Sequence, residues 1–316
     1  PMLYAQLEDS TDVLSRLLAA KQLGDHDDKK TVARLKSSLI ADRFFGVRKR
    51  ASEALAKIAT PRALRALIAS LNQPDARVRE RVVRDIGKFY HPEARRASRQ
   101  IVASEKNPMI LRWGLRSLAK YHDEDAKRAI TNSLRSNSYR DYQACYAQEA
   151  IPVIDDPSLS GELIKFLSRR DRKISHGWFG NALVTLGRLN RNEDNKDRVR
   201  ELLATHANSP SRVIQRGAIK ALGLLEDPKA IPIVASFTGG GDDKTSVQKA
   251  ADVALKKLRS ERKVSVELKD LTGEVMELKE KNEALEAELE DLKKQFEAKE
   301  RVDVESEKSE SQGSDD

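Results

Sequence analysis

The sequence predicts an all-α protein. A superhelical solenoid of about eight helical hairpins spans residues 1–260, a coiled-coil helix spans 261–302, and a disordered acidic tail spans 303–316. Three observations predict this. Aromatics are 5% and charged residues 34% of the 316, a composition of long helices rather than of an aromatic-rich sandwich or barrel. A leucine or isoleucine anchor recurs eight times at a nearly constant period. Residues 264–299 carry apolar side chains at strict 3-4 spacing.

The anchors are Leu23, Leu55, Ile86, Leu118, Ile151, Leu186, Leu222 and Leu255, at spacings of 32, 31, 32, 33, 35, 36 and 33. Four residues before them stand Ala19, Ala51, Val82, Gly114, Ala147, Ala182, Ala218 and Ala251, seven small residues and one valine. Eight before stand Ser15, Val47, Val78, Ile110, Gln143, Trp178, Ile214 and Val247. Positions four apart share a helical face. Each repeat therefore contributes a helix with an apolar stripe whose small middle residue lets a neighbour approach. A second helix fills the interval. Thr60-Pro61, His91-Pro92, Asp156-Pro157 and Asp227-Pro228 put proline where a first turn needs no N–H, and Asp123 caps another start.

Particular residues narrow the family. The run from Asp42 through Phe44-Phe45-Gly46-Val47-Arg48 to Ala51, Ala54 and Leu55 resembles a HEAT-like repeat. Asp75-Ala76-Arg77-Val78-Arg79, followed by Val82 and Ile86-Gly87, does the same. With the N-terminal run Met2 to Asp9, continuing through Asp12, Val13 and Arg16 to Leu23, residues 1–260 resemble the C-terminal helical-repeat region of gluzincin (membrane alanyl) aminopeptidases. That resemblance implies a non-catalytic end of a larger polypeptide, and the first residue, Pro1, agrees with it. The His-Glu-x-x-His zinc motif and the Gly-x-Met-Glu-Asn motif of those enzymes are absent from this chain, so no catalytic, cofactor or metal residue carries over.

The C-terminal spacing reads as a zipper. Val264, Leu271, Leu278, Leu285 and Leu292 occupy d, and Leu268, Val275, Asn282, Leu289 and Phe296 occupy a. Leucine at d with one buried asparagine at a is the parallel two-stranded pattern. Glu274–Lys279, Lys281–Glu286 and Glu288–Lys293 pair attractively across such a dimer. The expected dimerisation residues are Leu271, Leu278, Asn282, Leu285 and Leu292.

Charge divides along the same boundary. Residues 261–316 hold 10 Lys+Arg and 19 Asp+Glu, a net of −9, leaving 48 and 31, a net of +17, in residues 1–260. A body so basic attracts an acidic partner, the chain's own tail among the candidates, and nucleic acid is the alternative to a protein or peptide ligand. Arginines cluster at Arg77, Arg79, Arg81 and Arg84, at Arg95, Arg96 and Arg99, and at Arg169, Arg170 and Arg172 with Lys173.

Other candidate chemistry reads as structural. His26, His91, His122, His176 and His206 include no pair three to five apart, so no local metal-ligand pair exists. Cys145 has no flagged base and reads as a packed thiol, and one cysteine fits a reducing compartment. Gly239-Gly240-Gly241 lacks the Gly-Lys-Ser/Thr ending of a phosphate loop and reads as a turn. Trp113, Tyr139, Tyr142, Tyr146 and Trp178 read either as a concave face that stacks a ligand or base or, in preference, as core, Trp178 because it stands eight before an anchor; Trp113, five before, could face either way. No stretch approaches the ~20 apolar residues of a membrane span.

Overall fold

The computed structural model describes residues 2–8, 10–170, 174–240 and 243–260, with Val275, Leu278, Lys279, Lys281, Asn282, Leu285 and Leu289. The chain divides into two units, Pro1–Lys257 and Leu258–Asp316. In the first, helices follow one another: α1 (Met2–Glu8), α2 (Val13–Leu23), α3 (Lys29–Ala41), α4 (Phe45–Ile58), α5 (Pro61–Ile68), α6 (Ala76–Ile86), α7 (Pro92–Ser104), α8 (Pro108–Ala119), α9 (Glu124–Leu134), α10 (Tyr142–Ala147), α11 (Ile151–Ile154), α12 (Ser160–Arg170), α13 (His176–Leu189), α14 (Asp197–Ala207), α15 (Arg212–Leu225) and α16 (Ile231–Ala235). Residues 246–260 are helical as well, and no strand occurs among the described residues.

The hairpins stack in two layers. The anchor-bearing helices α2, α4, α6, α8, α10–α11, α13 and α15 lie side by side in chain order, and α3, α5, α7, α9 and α12 form the second layer. Every anchor is buried, and so is every small residue four before it. Each buried leucine or isoleucine contributes about 1.5–3 kcal/mol. At seven of the eight, the alanine or glycine one turn earlier lets two backbones close up around it. The closest approach joins α13 to α15. A Cβ on Gly217 would stand 2.7 Å from the Gly180 Cα, and one on Gly187 would collide with the Ala221 carbonyl. One repeat on, a Cβ on Gly223 would stand 2.6 Å from Ala254 Cβ.

Caps set the helix starts. Asp12 accepts from the Leu14 and Ser15 amides, Asp28 from those of Lys30 and Thr31, and Asn107 from that of Met109. Thr60 and His91 cap the proline-opened α5 and α7, and Asp123 caps α9. Such caps contribute about 1 kcal/mol each.

Two arginines repeat one clasp. Arg16 donates to the Ser10 and Thr11 carbonyls before its own helix and pairs with Asp42 at 2.9 Å. Arg79 donates to the Gln73 and Pro74 carbonyls and pairs with Glu105 at 2.7 Å. Burial alone would raise the Glu105 pKa; the Arg79 guanidinium and the Asn107 amide hold it below its ordinary value. Arg48, one repeat between, meets the Gln73 amide oxygen at 3.2 Å instead. Each clasp ties a helix start to the turn about 26 residues later, which fixes the register of neighbouring hairpins.

The fifth repeat departs from the expected continuous stripe. Arg140 and Asp141 are left-handed (φ 49° and 55°), and the anchor helix is split into α10, a 3₁₀ turn at Gln148–Ala150, and α11. Pro152 explains the split: it has no N–H for the Gln148 carbonyl, and its ring crowds the preceding turn. The starts at Asp156-Pro157 and Asp227-Pro228 also differ from a plain α-helical first turn. Each opens a 3₁₀ turn, Pro157–Leu159 and Pro228–Ala230, before its helix.

In the second unit, the described zipper positions Val275, Leu278, Asn282, Leu285 and Leu289 are helical and exposed. The four apolar ones are each more than half exposed, at 55–64%. Leu271, Leu292, the three charge pairs as pairs and the tail at 303–316 lie outside the described residues.

Candidate interaction face

Burying the anchors, their −4 partners and four of the eight −8 positions leaves most of the −9, −5 and −2 positions of the anchor layer facing outward. This face carries exposed apolar and aromatic side chains on α2, α8, α10, α15 and the helix at 246–260. Leu14, Leu18, Met109, Tyr142, Val213 and Val253 are exposed along it. The aromatic cluster lies here and not in the core, contrary to the sequence expectation. Trp113, Tyr146 and Trp178 are half-buried, and Tyr139 is 75% exposed. The −5 register points Trp113 and Tyr146 out of the layer, while Trp178 stands where α13 meets the broken fifth repeat. Their rings form one row: Tyr139 against Tyr142 at 6.3 Å, Tyr142 stacked on Tyr146 at 6.2 Å, and Trp178 edge-on to Tyr146 at 5.1 Å.

Arginines approach the same row. Arg84 of α6 and Arg112 of α8 each stand 4.6 Å from the Trp113 ring centroid, and Arg116 stands 5.7 Å away. Arg112 also lies 5.3 Å from the Tyr146 ring. The indole edge is satisfied by Glu80, whose carboxylate accepts from Trp113 Nε1 at 3.1 Å. Arg112 reaches a carboxylate only at 3.9 Å, on Glu149. Its buried Nε has no hydrogen-bond partner. Arg116 donates to the Glu149 backbone carbonyl. Arg84 has no hydrogen bond or ion pair among the described residues. Lys120 is pushed below its usual pKa by burial and then by the positive charge of Arg116.

Several other arginines are neutralised locally. Arg81 pairs with buried Asp85 and with Glu53, and Arg77 pairs with Asp75 while covering Phe45 at 3.7 Å. In the second layer Arg95 and Arg99 pair with Asp123 and Asp125, beside the stacked rings of Tyr90 and Tyr121. Nothing is described of the Arg169, Arg170, Arg172 and Lys173 side chains.

The remaining candidates have structural roles. His91 Nδ1 caps α7, His122 Nδ1 meets the Ile154 carbonyl at 2.9 Å, His176 meets Ser211 Oγ at 2.9 Å, and His206 packs edge-on to Phe179. Among the described residues no three His, Cys, Asp or Glu side chains are placed to hold a metal ion. Burial pushes the Cys145 thiol up to about 11, so it is no nucleophile near neutrality. Gly239 and Gly240 have positive φ, as an open turn requires. Among the described residues no helix is long and apolar enough to cross a membrane.

The architecture and its exposed face define a helical-repeat protein. More narrowly, the family model for HEAT repeats matches residues 1–82 and 64–150. The solved structure of YibA from Escherichia coli is similar in fold, at 19% identity and a TM-score of 0.54, covering 82% of this chain and 91% of that one. An engineered protein aligns at 19% identity over 81% of this chain and 77% of its own, with a TM-score of 0.38. Human deoxyhypusine hydroxylase in complex with glycerol aligns at 14% identity over 82% and 95%, with a TM-score of 0.35. No curated protein matches the sequence. Neither the family model nor these structures supports the expected kinship with aminopeptidases.

The Arg84–Trp113–Arg116 grouping was missed as a site by sequence reasoning. Its signal is nonetheless present: Arg84 and Arg116 both stand two residues before an anchor, 32 apart, and Trp113 lies within one turn of Arg112 and Arg116.

Proposed function

We propose that the chain is a non-catalytic protein-interaction scaffold that binds protein or peptide across the outward face of its anchor layer. The observation that carries this is the row of exposed apolar and aromatic side chains along that face. Such side chains supply contact energy at interfaces and stay scarce on surfaces that bind nothing. Nucleic acid fits less well. Base stacking needs open ring faces, whereas three guanidiniums crowd Trp113 and Tyr142 covers Tyr146. No cofactor takes part.

The zipper completes the scaffold. Leu271, Leu278, Asn282, Leu285 and Leu292 would join two chains in parallel as a homodimer. The exposure of Leu278 and Leu285 in the single chain supports this, since an apolar helical seam left in water lacks a partner. An aminopeptidase domain upstream of Pro1 would place zinc chemistry outside this chain and leave the solenoid its binding role.

Met109→Asp and Tyr142→Asp place charge on the face without entering the core. Each should abolish co-purification of the partner while leaving the melting temperature within about 2 °C, since surface changes cost little stability. Retention of the partner by both variants would refute the assignment of this face.

A further inference from the structure

Resting on that scaffold reading, we propose that Arg84, Arg112 and Arg116 form a carboxylate-binding subsite around Trp113, and that the partner is an acidic peptide segment with interspersed apolar residues. Three guanidiniums converge within 4.6–5.7 Å of one ring centroid. Two carboxylates stand nearby. Glu80 is engaged by the indole N–H, and Glu149 reaches Arg112 only at 3.9 Å. The cations therefore repel one another with too little compensation. Among the described residues Arg84 has no counter-ion, and Arg112 Nε is an unused donor.

Trp113 explains how such a cluster persists. Its ring face attracts guanidinium and holds the three side chains in place before any ligand arrives. Pre-positioned guanidiniums then offer paired N–H donors that match a carboxylate. Exposed Met109 and Tyr142 flank the cluster on the same face and suit apolar side chains. Other arginines of the solenoid hold carboxylates, as Arg81, Arg95 and Arg99 do, and among the described residues three guanidiniums gather on the Trp113 ring alone. That convergence, rather than the overall positive charge, makes the subsite local.

The test is fluorescence anisotropy on the full chain at low salt. The probe is a labelled eight-residue peptide of acidic pairs separated by leucine, compared with its Asn/Gln counterpart. The acidic peptide should bind and the amide peptide should not. Arg84→Gln, which removes no described hydrogen bond or ion pair, should weaken binding about tenfold. Arg62→Gln, the same charge change on exposed α5, should leave affinity unchanged. Equal weakening by the two variants would reduce the effect to net charge and overturn the subsite. Tighter binding of a labelled 20-nucleotide single strand, lost in Arg84→Gln, would assign the cluster to phosphate instead. Tighter peptide binding after conversion of Asp303, Glu305, Glu307, Glu310, Asp315 and Asp316 to amides would make the chain's own tail the occupant. Absence of peptide binding in a chain whose Met109→Asp variant still loses its partner would remove the acidic specificity and leave the scaffold intact.

Discussion

Asp85 shows how this solenoid admits charge into its interior. It is fully buried, yet Arg81 donates to both its oxygens, at 2.8 and 3.0 Å, and Ser52 Oγ and Lys88 meet it at 2.8 Å. Removing one member of such a group leaves the others desolvated and unpaired. Asp85→Ala should therefore cost about 3 kcal/mol, whereas Ser52→Ala should cost about 1. Equilibrium urea unfolding checks both. Glu162 carries a pH dependence. Hydrogen bonds from Arg135 and then Lys165 hold its pKa down to about 2, below the ~4.3 of an unfolded glutamate. A carboxyl depressed in the folded state stabilises above its unfolded pKa, and that stability is lost as pH falls toward 2. Wild type should accordingly lose stability between about pH 4.3 and 2. Glu162→Gln should be slightly less stable at neutral pH and fall less steeply in that window. Both partners are more than half exposed, so the difference is modest and shrinks in salt.

At the scale of the helix, the small-residue positions decide packing. Ala182→Leu or Ala218→Leu should overpack the layer at a cost of about 1–3 kcal/mol. Gly187→Ala should do at least as much, because its new methyl would meet the Ala221 backbone, which has less freedom to move than a side chain. Thermal unfolding of the three variants checks this. For the proposed zipper, Asn282→Leu should raise the melting temperature and loosen the oligomer toward trimers, since an amide buried in a dimer seam trades stability for two strands in register. Sedimentation equilibrium reads both outcomes. These elements also show what was legible beforehand. The anchors and their −4 partners were readable because burial demands one residue type at a fixed helical spacing. The break at Gln148–Ala150 was not read, although Pro152 was in view, because the repeat register through Ala147 and Ile151 masked the missing hydrogen bond. The aromatic row was misplaced for a related reason. A tryptophan at an apolar register position looks like core, and only the packing of α13 beside the broken repeat shows that Trp178 is half-buried.

For the solenoid unit, the same repetition that buries one stripe exposes another. The helices of the anchor layer turn most of their −9, −5 and −2 residues to the same side, so a partner on the proposed face would meet a surface assembled from many repeats. The charge on that surface is uneven. Carboxylates meet the arginines of α6 at Arg77 and Arg81, while Arg84, Arg112 and Arg116 gather at Trp113. The arginine cluster was legible as composition, whereas its convergence on one indole needed the stacking of α6 against α8. Site-directed photo-cross-linking tests the central claim most directly. Benzoylphenylalanine replaces Met109 or Val213 on the anchor face, or Arg62 or Arg96 in the second layer. Both anchor-face positions should capture the same protein partner, and the second-layer positions should capture none. Capture from Arg62 or Arg96, with none from Met109 or Val213, would contradict that claim.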